Sequence, residues 1–349
     1  MHLTLFLGAG FSAAFGHPVM DGFLGFADSC KRLSEEDRSF LGTLILEARG
    51  ANSFLESSPT NLEDILSFSE MGERLGLTKD GENRNHRLRE IVRKIYTTAP
   101  PSERYWERYE ILKKLVGPEL RKCKSGLSFV TTNYDLNIES ACFFLGTQVN
   151  PGFELHRVDQ KRKVQVIMNC YDPRGIPLYK LHGSVNWYPT DGEPGLVVED
   201  RVVPVSSLSG GDRQHSLPYP CVDKYETPGV PLIVPPSFLK PDLSKALKAV
   251  WSGAAQTLAK ANVIVFVGYS FPSSDTEMMY FLARALSENA GLRAVYLVDP
   301  KADAIVARLR GPGSRMGSHF RDFLQPINSK WTDIHEPPWM KSWIRESAD

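Results

Sequence analysis

The sequence predicts an α/β protein with a Rossmann-like, doubly wound parallel sheet, and three observations support this. Short apolar runs rich in branched and aromatic side chains recur along the chain, as is typical of strands buried on both faces. Most of them lead through a polar or glycine-containing turn into a helical pattern, which is typical of parallel sheets. The 349 residues are 42% hydrophobic and 23% charged, which excludes a disordered chain, a collagen or a disulfide-stapled miniprotein.

Six apolar runs are predicted to be strands. The first lies close to the N-terminus, but no Lys or Arg precedes it and glycines follow it. It therefore lacks the features of a signal peptide or a membrane span, and we expect a cytoplasmic protein. The six runs are Leu3–Leu7, Leu127–Thr131, Val164–Met168, Leu178–Leu181, Val263–Val267 and Ala294–Val298.

Residues 34–118 interrupt the alternation with a helical pattern that contains no convincing strand. Ser34 with Asp37, and Thr60 with Glu63, have the spacing of a capping box and predict two helix starts. Gly50 is predicted to end the first of these helices. We therefore expect a helical insertion here, with the sheet domain formed by residues 1–33 and 119–349.

A second interruption, residues 189–241, is rich in Pro, Gly and Ser and contains only short strand-like pieces such as Leu196–Val198. Because it also carries apolar residues, it predicts a loop-rich small module that packs, not a linker. Beyond it, an apolar stripe predicts a helix over Asp242–Lys260. A further helix is expected after Val267, opened by Ser274 with Glu277.

The charge balance and the cysteines exclude some partners and sites. Lys plus Arg and Asp plus Glu each total 41, so no global attraction to DNA or anionic lipid follows. Five cysteines without a C-x-x-C pair predict reduced thiols and no zinc ribbon. Basic residues crowd one predicted helix and residues 161–163; a solvated face is the default, and contact with nucleic acid or an acidic partner is the alternative. Those on the helix are Arg84, Arg87, Arg89, Arg93 and Lys94.

Several motifs follow predicted strands, where ligands bind in open α/β sheets. In Gly8-Ala9-Gly10-Phe11-Ser12, glycines allow a phosphate to approach the backbone, although a tight structural turn is the alternative. In Thr131-Thr132-Asn133-Tyr134-Asp135, Asn133 offers both a donor and an acceptor. The alternative there is that Asn133 and Asp135 merely cap the next helix.

The later strands are followed by three more candidates. His182, in Leu181-His182-Gly183-Ser184, can take up a proton near neutral pH, whereas a satisfied core histidine is the alternative. Gly268-Tyr269-Ser270 suits a phosphate or a ribose, and Asp299 suits a ribose diol. The other seven histidines show no metal-ligand spacing.

Four of these motifs together resemble the signature motifs of sirtuin-like NAD-binding domains. The match is nearer to the bacterial branch found in antiphage defence than to the protein deacylases, and it spans residue 3 to about residue 310. The motifs are Gly8-Ala9-Gly10-Phe11-Ser12, Thr132-Asn133-Tyr134-Asp135, Leu181-His182-Gly183-Ser184 and Gly268-Tyr269-Ser270-Phe271.

The resemblance implies NAD+ as substrate, no metal, and a role for each matching residue. Asn133 and His182 would form the catalytic pair, and Asp135 would support them near the nicotinamide pocket. Asp299 would hold the adenosine ribose. The phosphates and the other ribose would be bound by Gly8, Ala9, Gly10, Ser12, Thr132, Gly268 and Ser270.

Two departures separate this chain from the deacylases. Residues 189–241 hold only Cys221 where a deacylase carries a four-cysteine zinc module. Residues 16–21, Gly-His-Pro-Val-Met-Asp, lack the aromatic residue and the arginine of the deacylase Gly-Ile-Pro-Asp-Phe-Arg segment. We therefore expect an NAD+ glycohydrolase that depletes NAD+ in antiphage defence by abortive infection. The alternatives are a non-catalytic NAD or ADP-ribose sensor and, less favoured, an NAD-dependent deacylase.

Unrestrained loss of NAD+ would kill the cell, so such an activity requires control. We expect control by assembly, through a homo-oligomer or a hetero-complex. The resemblance suggests a HerA-type DNA-translocating ATPase or an Argonaute-type protein as the partner. No membrane partner is expected.

Overall fold

The computed structural model describes residues 1–19, 22–52, 61–78, 81–97, 110, 112–113, 126–153, 171–189, 196–198, 203–204, 218–219, 230–234, 245–272, 275–311 and 318–340. Its strands are β1 (Leu3–Leu7), β2 (Leu127–Thr131), β3 (Val149–Asn150), β4 (Ile176–Lys180), β5 (Trp187–Pro189), β6 (Leu196–Val198), β7 (Val203–Pro204), β8 (Pro218–Tyr219), β9 (Val263–Val267), β10 (Ala294–Val298) and β11 (Leu324–Ile327).

Seven of these strands form one sheet in the order β11-β10-β9-β1-β2-β4-β3, and every neighbouring pair in it is parallel. With helices flanking this sheet, the predicted α/β, Rossmann-like class is confirmed. On one side of β1 the chain forms β2, then the edge strand β3, and then β4 between them; it returns to form β9, β10 and β11 outward on the other side. The direction of winding reverses beside β1, which is where open α/β sheets bind ligands.

The central strands end at the same level. Leu7 at the end of β1 is in register with Thr131 of β2 on one side and with Val267 of β9 on the other. All five residues of each of these strands are buried. The segments that follow the three strands therefore emerge side by side at one edge of the sheet.

Four of the six predicted strands have the expected bounds, and Leu178–Leu181 is found as β4, which begins two residues earlier. The predicted strand Val164–Met168 lies outside the described residues. The sequence did not reveal β3, because two residues are too few to show a pattern. It also did not reveal β11, in which Gln325 and Pro326 are exposed, as suits an edge strand.

Ten α-helices and a short 3₁₀ turn are found in the described part of the chain. They are α1 (Ala9–Ala13), α2 (Phe23–Ser29), α3 (Glu35–Asn52), α4 (Leu62–Arg74), α5 (Gly81–Tyr96), α6 (Asn137–Phe144), α7 (Lys245–Lys260), α8 (Thr276–Ser287), α9 (Ala302–Arg310), α10 (Ser318–Phe323) and the 3₁₀ turn Trp331–Asp333. Three of them, α3, α4 and α5, follow one another within residues 34–118.

The helix boundaries correct several predictions. Ser34 and Asp37 do form a capping box, since each backbone N–H donates to the other's side chain at 3.1–3.2 Å. The prediction for Thr60 with Glu63 is wrong by one residue, because Asn61 and Asp64 form the reciprocal box that starts α4. Gly50 does not end α3, which continues to Asn52.

The start of α8 also differs from the prediction. Its N-cap residue is Asp275, whereas the predicted cap, Ser274, lies outside the described residues. For α7, the described helix begins at Lys245; residues 242–244 of the predicted span lie outside the described part.

Two hydrophobic cores hold the molecule together. The larger surrounds the parallel sheet. The smaller joins α2, α3, α4 and α5. It also includes Tyr134 and Leu136 after β2, Val185 after β4, and Ile233 from residues 230–234. The helical insertion is therefore packed directly against the carboxyl edge of the sheet.

The basic residues of α5 are neutralised within the insertion. Each has a carboxylate within 4.0 Å, so each takes part in an ion pair within the insertion. The pairs are Arg84 with Glu47, Arg87 with Asp37, Arg89 with Glu70, Arg93 with Glu90, and Lys94 with Asp37. Residues 161–163 lie outside the described part.

The loop-rich region is described only in pieces, the antiparallel pairs β5–β6 and β7–β8 and residues 230–234. Cys221 lies outside these pieces. Across the described ranges, no group of three or more His, Cys, Asp and Glu residues is placed to hold a metal ion. No described helix has both the length and the apolar character needed to cross a membrane.

Candidate functional site

A cavity of about 480 Å³ opens at the carboxyl edge of the sheet, around the end of β1. This volume lies within the range of pockets that bind small molecules. Residues that follow β1, β2, β4, β9 and β10 line it together. They include ten of the eleven residues predicted from the sequence: Ala9, Gly10, Ser12, Thr132, Asn133, Asp135, His182, Gly268, Ser270 and Asp299.

The eleventh predicted residue, Gly8, lies beneath the cavity, where the turns after β1 and β9 touch. A Cβ on Gly8 would lie 2.5 Å from the carbonyl oxygen of Gly268, and Gly10 N–H donates to that same oxygen at 2.9 Å. Gly268 has a φ of +61°. The close approach of two backbones therefore accounts for these glycines, and the tight turn that was the alternative is present.

Asn133 is held in one orientation by two hydrogen bonds. Its Nδ2 donates to the carbonyl oxygen of Gly8 at 2.8 Å and to Ser12 Oγ at 2.9 Å. Because a backbone carbonyl can only accept, the amide must present Nδ2 to Gly8. This arrangement leaves the carbonyl Oδ1 to a ligand in the cavity, and Asn133 does not serve as a cap of α6.

Asp135 connects the Asn133 network to the next helix. Its Oδ2 accepts from Ser12 Oγ at 2.5 Å, and its Oδ1 accepts from the backbone N–H of Asn137 at 3.0 Å. The second bond satisfies a backbone donor at the start of α6, so the capping alternative is correct for Asp135. The residue therefore does two things: it caps a helix and fixes the hydroxyl of Ser12.

His17, to which the sequence assigned no chemistry, is buried next to Asp135. Burial lowers the pKa of His17, and the Asp135 charge and a hydrogen bond with Asn137 oppose this only in part. His17 is consequently neutral at pH 7. It belongs to the packing beneath the site, where its ring lies 5.7 Å from that of Tyr96.

His182 follows β4 and is only 3% exposed. Its Nε2 lies 3.7 Å from Oδ2 of Asp275, which is 2% exposed. Its backbone carbonyl accepts from Val234 N–H at 2.9 Å, so residues 230–234 hold it against the end of the strand. His182 is thus buried, as a core histidine would be, yet it lines the cavity beside an acidic side chain.

More than half of the chain, residues 127–312, matches the family model of the SIR2-like domain. The chain belongs to the SIR2-like domain family.

The chain is similar to several solved structures, but its sequence identity to each of them is low. A mutant Sir2 homologue in complex with ADP-ribose has 13% identity and a TM-score of 0.40, covering 100% of this chain and 93% of that one. A second such mutant complex has 14% identity, a TM-score of 0.41 and the same coverage. Sir2Tm bound to a propionylated peptide has 14% identity and a TM-score of 0.36, covering 99% and 93%. No curated protein matches the sequence.

The family match begins at β2, so the glycine turn after β1 lies outside it. In this SIR2-like domain the tertiary structure brings that turn to the matched region, through the contact between Gly10 and Gly268. The catalytic and binding roles of the predicted residues stay predictions. The structure places ten of these eleven residues along one cavity.

Sequence reasoning missed several residues of the site, among them Asp275 and Arg308. Arg308 Nη2 donates to the backbone carbonyls of Ser270 and Phe271 and so braces the turn in which Phe271 has a φ of +52°. An Asp before a helix looks like an ordinary cap, and an Arg in a last turn looks like an ordinary helix end. The sequence alone therefore gave no reason to place either residue in the site.

The helical insertion also reaches the SIR2-like site. Asn61, the N-cap of α4, and Tyr96, the last residue of α5, line the cavity together with Pro18 and Val19. Tyr96 donates to the carbonyl oxygen of Pro18 at 3.4 Å, and its ring lies 5.9 Å from that of Tyr134. The insertion therefore forms part of the cavity wall.

A buried ion pair supports the loop that carries Asn133. Lys180, at the end of β4, is 1% exposed; its Nζ lies 3.0 Å from Oε1 of Glu139 and 3.3 Å from the carbonyl oxygen of Tyr134. It also donates to the carbonyl oxygen of Asp135. A single ammonium group thus joins β4, α6 and the loop between β2 and α6.

Proposed function

We propose that this protein is an NAD+ glycohydrolase that cleaves the bond between nicotinamide and ribose. One observation carries the proposal: Asn133 and His182, which follow two different strands and lie 49 positions apart (182 − 133), line the same cavity. A site that only bound the dinucleotide would require neither an oriented amide nor an imidazole. Membership of the SIR2-like family supports NAD+ as the substrate.

The proposed reaction is a hydrolysis. The bond between C1′ and the pyridinium nitrogen breaks, and its electron pair leaves with nicotinamide, which becomes neutral. The ribose passes through an oxocarbenium-like state comparable to that of glycoside hydrolysis. A water molecule then forms the O–C1′ bond and loses a proton, giving ADP-ribose.

His182 and Asn133 have separate tasks in this reaction. His182 accepts the proton from the attacking water or from a ribose hydroxyl, as general base catalysis requires. Asn133 orients the water or the nicotinamide carboxamide through Oδ1, because its Nδ2 is engaged by Gly8 and Ser12. Asp135 supports this arrangement through its bond to Ser12.

The rest of the nucleotide would extend along the lip of the cavity. The turns at Gly8–Ser12 and Gly268–Ser270, with Thr132, would bind phosphate and ribose oxygens, and Arg308 supplies a positive charge there. Asp299 lines the same cavity after β10, where an acidic residue can bind a ribose diol.

We propose water, not an acylated lysine, as the acceptor. The wall formed by Pro18, Val19 and Tyr96 includes the segment that departs from the deacylase motif. The proposed setting is depletion of NAD+ in antiphage defence, gated by homo-oligomerisation or by a partner protein. Support for this setting comes from the motif resemblance.

The test is to incubate the purified protein with NAD+ and to measure free nicotinamide and ADP-ribose. Asn133→Ala and His182→Ala are each expected to lower the rate on the order of 100-fold or more, since each removes a group that acts in the transition state. His335→Ala, at an exposed position away from the cavity, is the matched control. If either site variant turned over NAD+ like the parent, the assignment would be wrong.

Two additions to this assay separate the alternatives. Nicotinamide release that depends on an added acylated peptide would indicate a deacylase. Binding of ADP-ribose without any nicotinamide release, at a protein concentration that favours assembly, would indicate a sensor. Both results contradict the proposal.

A further inference from the structure

We propose that Asp275 is a positioning residue for His182, which fixes the imidazole and stabilises its protonated form during the reaction. This inference rests on the proposed function, since it requires His182 to accept a proton. Asp275 belongs to none of the motifs that pointed to the site.

The side chains of Asp275 and His182 lie close together and are both buried. Asp275 Oδ2 lies 3.7 Å from His182 Nε2, and the side chains are 2% and 3% exposed. This separation is too long for a direct hydrogen bond, but it is short enough for a strong charge interaction once the ring is protonated, and burial protects that interaction from screening by salt. Catalytic hydrogen bonds in ligand-free sites are often long and tighten when the substrate binds.

The side chain of Asp275 does not cap the helix that follows it. It occupies the N-cap position of the twelve-residue helix α8, where an aspartate normally accepts a hydrogen bond from the first turn. Here the side chain makes no such cap bond. It turns instead toward Tyr269, whose hydroxyl donates to Oδ2 at 3.3 Å, and toward His182.

The backbone of Asp275 is held in place by two hydrogen bonds. Its backbone N–H donates to the carbonyl oxygen of Pro272 at 3.2 Å, and its carbonyl oxygen accepts from Met279 N–H at 3.3 Å. The N-terminus of α8 favours a negative charge at this position. The backbone that carries the side chain of Asp275 is therefore fixed, with Oδ2 beside the ring.

Other titratable or charged groups line the cavity with His182, and two of them form hydrogen bonds with neighbouring groups. Asp135 is bonded to Ser12 and to Asn137 N–H, and Arg308 is bonded to backbone carbonyls. The Tyr134 ring centroid lies 6.4 Å from that of His182. Among the residues that the structure describes, the titratable or charged ones that line the cavity with His182 are Tyr96, Tyr134, Asp135, Tyr269, Asp275, Asp299 and Arg308.

The proposed role of Asp275 accompanies a single proton transfer to His182. The proton moves from water or a ribose hydroxyl to the imidazole of His182, and Asp275 stays ionised and receives none. The new positive charge on the ring is then paired with the carboxylate. Solvent takes the proton once ADP-ribose has formed.

The experiment compares Asp275→Asn, which removes the charge with little change of shape, with Glu277→Gln. The control removes an acidic charge two residues along the same helix from a side chain that does not line the cavity. Asp275→Asn is expected to lower kcat on the order of 100-fold, to change KM less than about threefold, and to leave ADP-ribose affinity unchanged. Glu277→Gln should behave like the parent in all three.

The pH profile separates positioning from a merely structural role. Because the carboxylate favours the protonated ring, its removal should move the acidic limb of the kcat profile to lower pH by about one unit. An NMR titration of the His182 ring, assigned with His182→Gln, should show the same shift without any turnover. If the parent released no nicotinamide, neither at a protein concentration that favours assembly nor with a candidate partner protein added, the proposed function would be wrong. The NMR titration would still test the pair.

Two results would overturn the inference. One is an Asp275→Asn protein whose kcat equals that of the parent. The other is a loss of kcat with no movement of the His182 titration, which would mean that Asp275 acts on the substrate or on the fold. Should Asp275→Asn fail to fold, Tyr269→Phe takes its place: it removes the hydroxyl bond and keeps the charge, and a several-fold loss of kcat is expected.

Discussion

Backbone atoms of two turns meet directly beneath the cavity, and this contact depends on single residues. Gly268 N–H donates to Val298 O at 2.9 Å, and Gly268 O accepts from Gly10 N–H at 2.9 Å. A Cβ on Gly268 would lie 2.5 Å from Gly10 Cα. Because these neighbours are backbone atoms with no rotamer to change, the turns tolerate no side chain at this position.

At the residue scale, Gly268→Ala is therefore expected to destabilise the protein by about 3 kcal/mol, from the left-handed φ and the close contact together. Urea unfolding measures the change. Gly25→Ala is the matched control, because that glycine lies in α2 with nothing within 4 Å of an added Cβ; a gain of up to about 1 kcal/mol is expected there. Equal effects of the two substitutions would contradict the account of the turn.

The loop that presents Asn133 depends on contacts between elements. Lys180 at the end of β4 binds Glu139 of α6 and two carbonyl oxygens of the loop. Tyr171 extends the network by donating to Glu139 at 3.2 Å, and Asn186 donates to Tyr171 at 3.0 Å. Since all these groups are buried, each depends on its partner to offset its own desolvation.

At the element scale, Lys180→Met should destabilise the protein by about 3 to 5 kcal/mol, because it leaves a carboxylate buried without its cation. Adding Glu139→Gln should recover much of the loss, since the buried charge is then removed as well. Arg284→Met breaks an exposed ion pair with Glu288, and we expect no measurable change in its urea midpoint. A double variant as unstable as Lys180→Met would show that the charge is not the cause.

At the scale of the whole molecule, the cavity draws on parts of the chain that fold around different cores. Asn133 and His182 come from one side of β1, Gly268 and Asp299 from the other, and Tyr96 from the helical insertion. A ligand that contacted all of them would stabilise the folded state as a unit, because it could bind only after they had assembled.

ADP-ribose is accordingly expected to raise the melting temperature by several degrees. At 100 times its dissociation constant, the linkage amounts to about 2.7 kcal/mol. Differential scanning fluorimetry with the parent measures the shift. AMP at the same concentration is the control and should give a smaller shift, since it reaches only part of the cavity. Equal shifts for AMP and ADP-ribose would mean that the ligand does not span the site.

The sequence by itself determined the class of fold and the positions of the candidate residues. Strands buried on both faces appear as continuous apolar runs, so β1, β2, β9 and β10 could be recognised locally, and the motifs were identified by their position directly after such runs. The capping box at Ser34 was equally local. At residues 60–64 two overlapping pairs, Thr60 with Glu63 and Asn61 with Asp64, both have the spacing of a capping box. Spacing alone could not show that the second pair starts the helix.

Only the tertiary structure decided which distant groups meet. Asp275 and His182 are 93 positions apart (275 − 182), and no periodicity or spacing connects them, because their contact depends on how α8 is placed across the end of the sheet. For the same reason the sequence could not show which carboxylates lie beside the basic residues of α5. Local sequence sets the conformation of a segment; packing over the whole chain sets the charge and the neighbours that each side chain finally has.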